Sequence, residues 1–361
     1  MEPGAEIVGR YRLERLLGRG TFGDVWAAAD LLWERRVAVR ILDRGISTTD
    51  PVVAARFRQE AKNAARLVHP GITRVDDFGE CEGRWFWVTE FLQGRTLKDE
   101  LAGRPRGLAM ERVQDLGVQL ADALAAAHAA GMVHRNLKPA NLMMVEGGRL
   151  KVCDFGIVGV ADAMLAQTFT GQVGTPLYLA PEQWLGRPLD HRTDLYAVGC
   201  ILYHLVTGRP PFTGEHVAAV MGQHLSLDPP RARTHRPETP APLDELITEL
   251  LAKDPGQRPT EADEVLTRLR DLGRPLPAAG TVPAAPNSAP PAASETPSTR
   301  PSPTRPAGAS SRRPRGSTDE KFPLHTTLTG YAGAVTSAAF SPDSRILATA
   351  SEEGMVWLWD I

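Results

Sequence analysis

The sequence predicts an α+β chain in three parts, and three observations carry that prediction. Short apolar runs beside glycines and turn residues stand at 25–29, 37–42 and 85–92, the pattern of strands. Between residues 110 and 272, Val113, Leu116, Leu120 and Leu124 recur every three or four positions and the run from Asp194 through Leu205 is apolar on more than one face, the patterns of helices. After residue 272 the chain turns to Pro, Ala, Ser and Thr, and only at its end do strand-like runs return. The expected parts are therefore 10–272, a mixed unit with a β-rich start and a helical remainder; 273–320, a disordered linker; and 321–361, a small β segment.

Composition narrows the function before any motif is read. At 361 residues, 42% hydrophobic and 23% charged with a formal net charge of −2, the chain suits an ordinary globular protein, not a nucleic-acid binder or a wholly disordered polymer. Its three cysteines, Cys81, Cys153 and Cys200, lack metal-ligand spacing and point to a reducing compartment, so a cytoplasmic location is expected. The start, Met1-Glu2-Pro3-Gly4, has neither the basic nor the apolar part of a signal peptide, and no apolar run approaches the ~18 residues of a membrane span. No membrane segment is expected.

Leu17-Gly18-Arg19-Gly20-Thr21-Phe22-Gly23-Asp24-Val25 is a G-x-G-x-x-G-x-V stretch between two strand-like runs. Without a Cβ at Gly18, Gly20 and Gly23, a hairpin backbone can approach phosphate oxygens. The same pattern marks plain glycine-rich hairpins and dinucleotide folds. In dinucleotide folds a helix follows directly, whereas here the strand Val25-Trp26-Ala27-Ala28-Ala29 follows.

Val37-Ala38-Val39-Arg40-Ile41-Leu42 is an apolar strand broken by one cation, which alone reads as an exposed strand arginine. The next segment supplies a partner. Asp50-Pro51 starts a helix as cap and first residue, with an apolar stripe at Val53, Phe57, Ala64 and Leu67. Glu60 falls within that stripe; an inward carboxylate needs a cation, and Arg40 is the expected one. His69-Pro70-Gly71-Ile72 ends the helix, and Trp85-Phe86-Trp87-Val88-Thr89-Glu90-Phe91-Leu92 is a strand running into a polar connector.

Val113, Leu116, Leu120 and Leu124 mark an amphipathic helix over Glu111 to Ala130 that Gly131 terminates. His134-Arg135-Asn136-Leu137-Lys138-Pro139-Ala140-Asn141 follows, then the short strand Leu150-Lys151-Val152-Cys153 ending in Asp154-Phe155-Gly156. Ala180-Pro181-Glu182, a buried helix from Asp194 through Leu205, and Lys253-Asp254-Pro255-Gly256-Gln257-Arg258 complete the ordered series.

Over residues 10–272 this series resembles the serine/threonine protein kinase family of bacterial, Hanks type, in motifs and in their order. The resemblance implies a two-lobed fold, a small β-rich lobe and a mainly helical one, with ATP and Mg2+ as cofactors and proteins as substrates or partners. By this resemblance Gly18, Gly20, Gly23, Val25, Ala38 and Arg40 surround the nucleotide, and Glu60 braces Arg40. Backbone groups of Glu90 and Leu92 meet the adenine edge, and Thr89 lines the back of its pocket. Lys138 and Asn141 serve catalysis, and Asn141 and Asp154 hold magnesium. Arg135 would receive a phosphothreonine at Thr168 or Thr170, which otherwise are polar loop residues. Asp194 would brace the catalytic loop, and Arg258 would pair with Glu182.

Two positions depart from the pattern. Where the family has the Asp that accepts the substrate proton, this chain has Asn136, and where it has the strand Lys, this chain has Arg40. A neutral amide can orient a hydroxyl but not deprotonate it. Arginine keeps the charge in a bulkier planar fork. The expectation is a domain that binds Mg-ATP with weak or lost transfer, a regulatory or docking module. An active serine/threonine kinase and a nucleotide-independent scaffold are the alternatives.

The tail resembles one WD repeat, with strands at Val335 to Phe340, at Ile346 to Ala350 and at a run closing on Trp359-Asp360. Gly330-Tyr331 replaces the usual G-H, and Glu353 stands where the turn Asp is normal. A propeller needs about four to eight blades. A single blade is expected to be the front of a longer kinase-propeller protein or to pair with another chain and mediate protein interaction. The basic cluster Arg312-Arg313-Pro314-Arg315 could touch acidic partners or simply solubilise the linker.

Overall fold

The computed structural model describes residues 1–20, 23–42, 51–155, 176–272, 335–340, 346–351 and 356–360. Two compact units divide the chain, 1–274 and 275–361.

The first unit opens with β1 (Glu6–Ile7), β2 (Tyr11–Gly20), β3 (Gly23–Asp30), β4 (Arg35–Leu42), β5 (Val75–Cys81) and β6 (Arg84–Glu90). They form one antiparallel sheet in the order β1-β2-β3-β4-β6-β5. Its two faces follow from strand alternation. Tyr11, Leu13, Trp26, Val37, Val39, Ile41, Phe86 and Val88 are buried together on one face. Register then fixes the other: Val25 lies opposite Arg40, Ala27 opposite Ala38, and Ala38 opposite Thr89.

Helix α1 (Pro51–Arg66) covers that second face at one end. Its Phe57 stacks on Trp85 at 4.4 Å and meets Trp87 edge-on at 5.5 Å. Phe57, Ala64 and Leu67 are buried as the stripe predicts, and the side chain of Val53 and the Asp50 cap lie outside the described residues. β6 packs on both faces, which explains its uninterrupted run Trp85-Phe86-Trp87-Val88.

A short sheet, β7 (Gly94–Thr96), β8 (Leu142–Val145) and β9 (Leu150–Val152), joins the helical part. There α2 (Leu97–Leu101), α3 (Met110–Ala129), α4 (Pro181–Trp184), α5 (His191–Thr207), α6 (Val217–Ser226), α7 (Ala232–His235), α8 (Ala241–Leu250) and α9 (Ala262–Asp271) surround a second core. Val113, Leu116, Leu120 and Leu124 all point into it.

The end of α3 sets up the loop that follows. Gly131 takes a left-handed φ of 72°. Its N–H donates to the His128 carbonyl at 2.9 Å and the Met132 N–H to the Ala127 carbonyl at 2.9 Å, a Schellman closure that turns the chain sharply toward His134. The buried helix starts earlier than its sequence suggests, at His191, because Asp190 caps it by accepting from the Arg192 N–H at 2.8 Å. Asp194 thus sits inside the first turn.

Behind α5, His224 is fully buried, with Nδ1 2.8 Å from the Tyr196 hydroxyl. Burial pushes its imidazole down to about 3, and that of His204 down to about 4. Both take up protons less readily folded than unfolded, so the stability held above the ordinary value near 6.5 is lost as pH falls through that value toward the folded ones. For His224 the loss approaches ~1.4 kcal/mol per pH unit. The melting temperature should fall between pH 7 and pH 5, and His224→Gln, which keeps a partner for Tyr196, should lose less; an equal loss in that variant would show that His224 does not contribute.

The second unit carries β10 (Val335–Phe340), β11 (Ile346–Ser351) and β12 (Val356–Asp360) as an antiparallel sheet in sequence order. These are the three strands expected from the repeat pattern. The linker 273–320, Gly330, Tyr331 and Glu353 lie outside the described residues. Among the described residues no helix is long and apolar enough to cross a membrane.

Candidate active site

The sheet face left open by α1 presents Val25, Ala38 and Arg40 side by side, because β3 and β4 pair in register there. Gly23 closes the hairpin against Gly20 with φ 128°. A Cβ on Gly23 would run into the carbonyl of Ile41, so this glycine is required by its own neighbouring strand, whatever it does for a phosphate. Gly18 has open space where its Cβ would be.

Across from this face stands the loop from Met132 to Asn141, held by one buried carboxylate. Asp194 accepts the His134 N–H at 2.8 Å and the Arg135 N–H at 2.8 Å, and lies 2.9 Å from His128 Nε2. Burial works against the Asp194 charge, yet the bonds from His128 and the loop amide hold its carboxyl below the usual range. His134 Nδ1 accepts from the Asn136 N–H at 3.2 Å, so the network assigns its ring hydrogen to Nε2, 2.7 Å from the Cys153 carbonyl. One imidazole therefore ties the loop to the strand end that carries Asp154.

Arg135 and Asp154 both hold left-handed backbone, φ 63° and 70°. Such strain persists only where surroundings enforce it. Phe155 is buried and meets the His134 ring edge-on at 4.7 Å, anchoring the residue after Asp154. Asn141 donates from Nδ2 to the Asn136 carbonyl at 2.8 Å, so the group it still offers is its amide oxygen. Lys138 is near enough to feel both charges at the cleft: burial pushes its ammonium down, Asp154 works the other way, and Arg40 and Lys98 add to the depression.

Arg40 departs from its expected partner. Its Nη2 lies 2.7 Å from Asp154 Oδ2, and among the described residues no ion pair joins it to Glu60, which is half-buried on α1. The planar fork reaches farther than an ammonium and meets the carboxylate fixed at the end of β9. The expected Arg40–Glu60 brace is thus replaced by an Arg40–Asp154 bridge across the cleft.

At the connector after β6, the Glu90 N–H already donates to the Arg74 carbonyl at 3.1 Å, while no bond forms to the Leu92 amide among the described residues. The Glu90 side chain accepts from Lys151 Nζ at 2.6 Å and from the Arg74 N–H at 2.9 Å. Burial opposes the Glu90 charge, but these donors hold its carboxyl low. Neither this clamp nor His128 is signalled by motif or periodicity; only proximity in the fold reveals them. Thr168 and Thr170 lie outside the described residues.

Asp154 and Asn141 together offer one carboxylate and one amide oxygen, hard donors that suit Mg2+ shared with phosphates more than a closed protein cage. No cluster of three or more His, Cys, Asp or Glu able to hold a metal occurs among the described residues.

The family model for the protein kinase domain matches residues 11–268. This chain belongs to the protein kinase family. A second family model, WD domain, G-beta repeat, matches residues 322–360. The kinase part is 41% identical over 271 residues to a probable serine/threonine-protein kinase, SCO3848, of Streptomyces coelicolor, covering 73% of this chain and 40% of the relative. It is 41% identical over 261 residues to the serine/threonine-protein kinase PknA of Mycobacterium tuberculosis, covering 71% of this chain and 59% of the relative. The chain thus spans about 40 to 59% of the length of these curated relatives. The crystal structure of the Mycobacterium tuberculosis PknI kinase domain superposes with a TM-score of 0.61 at 28% identity, covering 75% of this chain and 99% of that one. The sheet and the helical part are accordingly the two lobes of a kinase fold, and the open face with its facing loop is the kinase cleft.

Proposed function

We propose that the kinase domain binds ATP with Mg2+ in this cleft and transfers phosphate to protein Ser or Thr weakly or not at all, so that it works as a nucleotide-sensitive regulatory or docking module of the cytoplasm. The observation that carries this reading is Asn136: its loop is fully braced through Asp194, His134 and Asn141, so the position is built, and an amide occupies it.

The chemistry follows from what each group can do. Val25 and Ala38 offer an apolar wall for a base, and the Leu92 amide offers a donor to its edge. Lys138 and Arg40 supply positive charge to phosphates. The metal, when bound at Asp154 and Asn141, would neutralise charge on the β and γ phosphates. Asn136 can hold a hydroxyl in line but leaves its proton in place, and the missing base costs about 10² to 10⁴ in rate. The WD segment is the part that would meet protein partners.

A working serine/threonine kinase is the second reading, favoured by the ordered placement of Lys138, Asn141 and Asp154. Nucleotide binding is tested on the full chain with a fluorescent ATP analogue displaced by ATP. Ala38→Phe, which fills the apolar wall, should weaken binding at least about tenfold, or ~1.4 kcal/mol. Saturable binding unaffected by that change would place the nucleotide elsewhere.

A further inference from the structure

We propose that Arg40 is a tethered cation that stands on Asp154 in the place of a divalent metal, so that the cleft takes free nucleotide about as well as its metal complex and a divalent ion must displace Arg40 to enter. This rests on the reading of the cleft as a nucleotide site.

The bridge is built from both ends. Arg40 projects from β4 between Val39 and Ile41, both buried in the opposite face, so its stem is fixed. Asp154 is fixed by the β9 strand before it and the buried Phe155 after it. The pair is well shielded, with side-chain exposures of 14% and 20%, so the attraction is weakly screened.

Charge accounting favours the same conclusion. Had Glu60 paired with Arg40, Lys138 alone would stand by the Asp154 carboxylate, with no cation bonded to it. Instead Arg40 is bonded to Asp154 and Lys138 stands beside it, two cations about one carboxylate without any added ion. A polyphosphate entering the cleft therefore meets protein cations. Binding a divalent ion at Asp154 exchanges one cation for another at that oxygen, and the remaining neutral Asn141 amide adds no charge to favour the exchange. Lysine, a shorter and more strongly hydrated point charge, would hold the carboxylate less firmly.

The test compares the full chain with Arg40→Lys and Arg40→Met in two measurements. In the first, a fluorescent ATP analogue is titrated with excess EDTA or with excess Mg2+. The unmodified chain should show affinities within about threefold of each other, while both variants should gain at least tenfold from Mg2+. A tenfold gain in the unmodified chain, or none in the variants, overturns the inference and leaves the nucleotide site standing. The second uses Mn2+ alone, read by water proton relaxation without nucleotide. Arg40→Met should bind Mn2+ at least threefold more tightly than the unmodified chain, and equal affinity overturns the inference. Absence of nucleotide binding in every protein would overturn the functional reading, and the Mn2+ comparison still decides whether Arg40 holds the metal position.

Discussion

Exchanging Asn136 for Asp together with Arg40 for Lys should raise phosphate transfer to a Ser/Thr peptide by at least about a hundredfold, measured at saturating Mg-ATP. The base alone is worth about 10² to 10⁴, with the lower part expected because the transition state of phosphoryl transfer is loose. Correct phosphate alignment by lysine adds a further ten- to hundredfold, about 1.4 to 2.7 kcal/mol. The two gains need not multiply, since both groups act on one reaction centre. Asn136→Asp by itself should recover less than the pair, because Arg40 would still lie 2.7 Å from the Asp154 carboxylate. The loop is already braced for the change: Asp194 holds the backbone before residue 136, and Asn141 bonds to its carbonyl. A double variant as inert as the parent would place the defect outside these two residues.

Truncating Arg258 to Ala should cost about 3 to 5 kcal/mol of unfolding free energy in the kinase unit, read by urea denaturation. Arg258 is fully buried and all its donors are used. Nε donates to the Ala252 carbonyl, Nη1 to Glu182 Oε1 at 2.7 Å and to the Arg192 carbonyl, and Nη2 to Glu182 Oε2 at 2.8 Å and to the Lys253 carbonyl. Its removal strands a buried carboxylate, since the remaining partner of Glu182, the Thr193 hydroxyl at 2.9 Å, is neutral. Replacing both partners together, Glu182→Leu with Arg258→Met, should be far milder, because no charge is left uncompensated. Equal losses in the two cases would contradict the view that the stranded charge dominates.

The strands, the helices and the lobes were legible in the sequence because each leaves a local pattern or period: apolar runs beside glycines and turn residues for β3, β4 and β6, a spacing of three to four for α3, and apolar residues on more than one face for α5. Those patterns assign a residue to an element or a face. They do not say which group waits across a cleft, and there the reading of Arg40 failed. Glu60 does lie on the stripe of α1, but an arginine fork chooses its partner by reach and by backbone placement. The left-handed Asp154 presents the nearer fixed carboxylate. The Glu90–Lys151 clamp and His128 stayed hidden for the same reason, since each joins residues far apart in the chain. Gly23 shows the converse. Its pattern was readable as phosphate-binding, whereas the fold gives it a second duty against Ile41. Glu182 with Arg258, by contrast, was foreseen from family resemblance alone and is present with bidentate geometry.

The most direct test of a nucleotide-binding domain with impaired transfer is to measure ATP occupancy and phosphate transfer on one sample of the chain under single-turnover conditions. The account predicts a site saturated by nucleotide and transfer at least about a hundredfold below the roughly 1 to 100 s⁻¹ of working kinases. Transfer within that working range by the unmodified chain would contradict it.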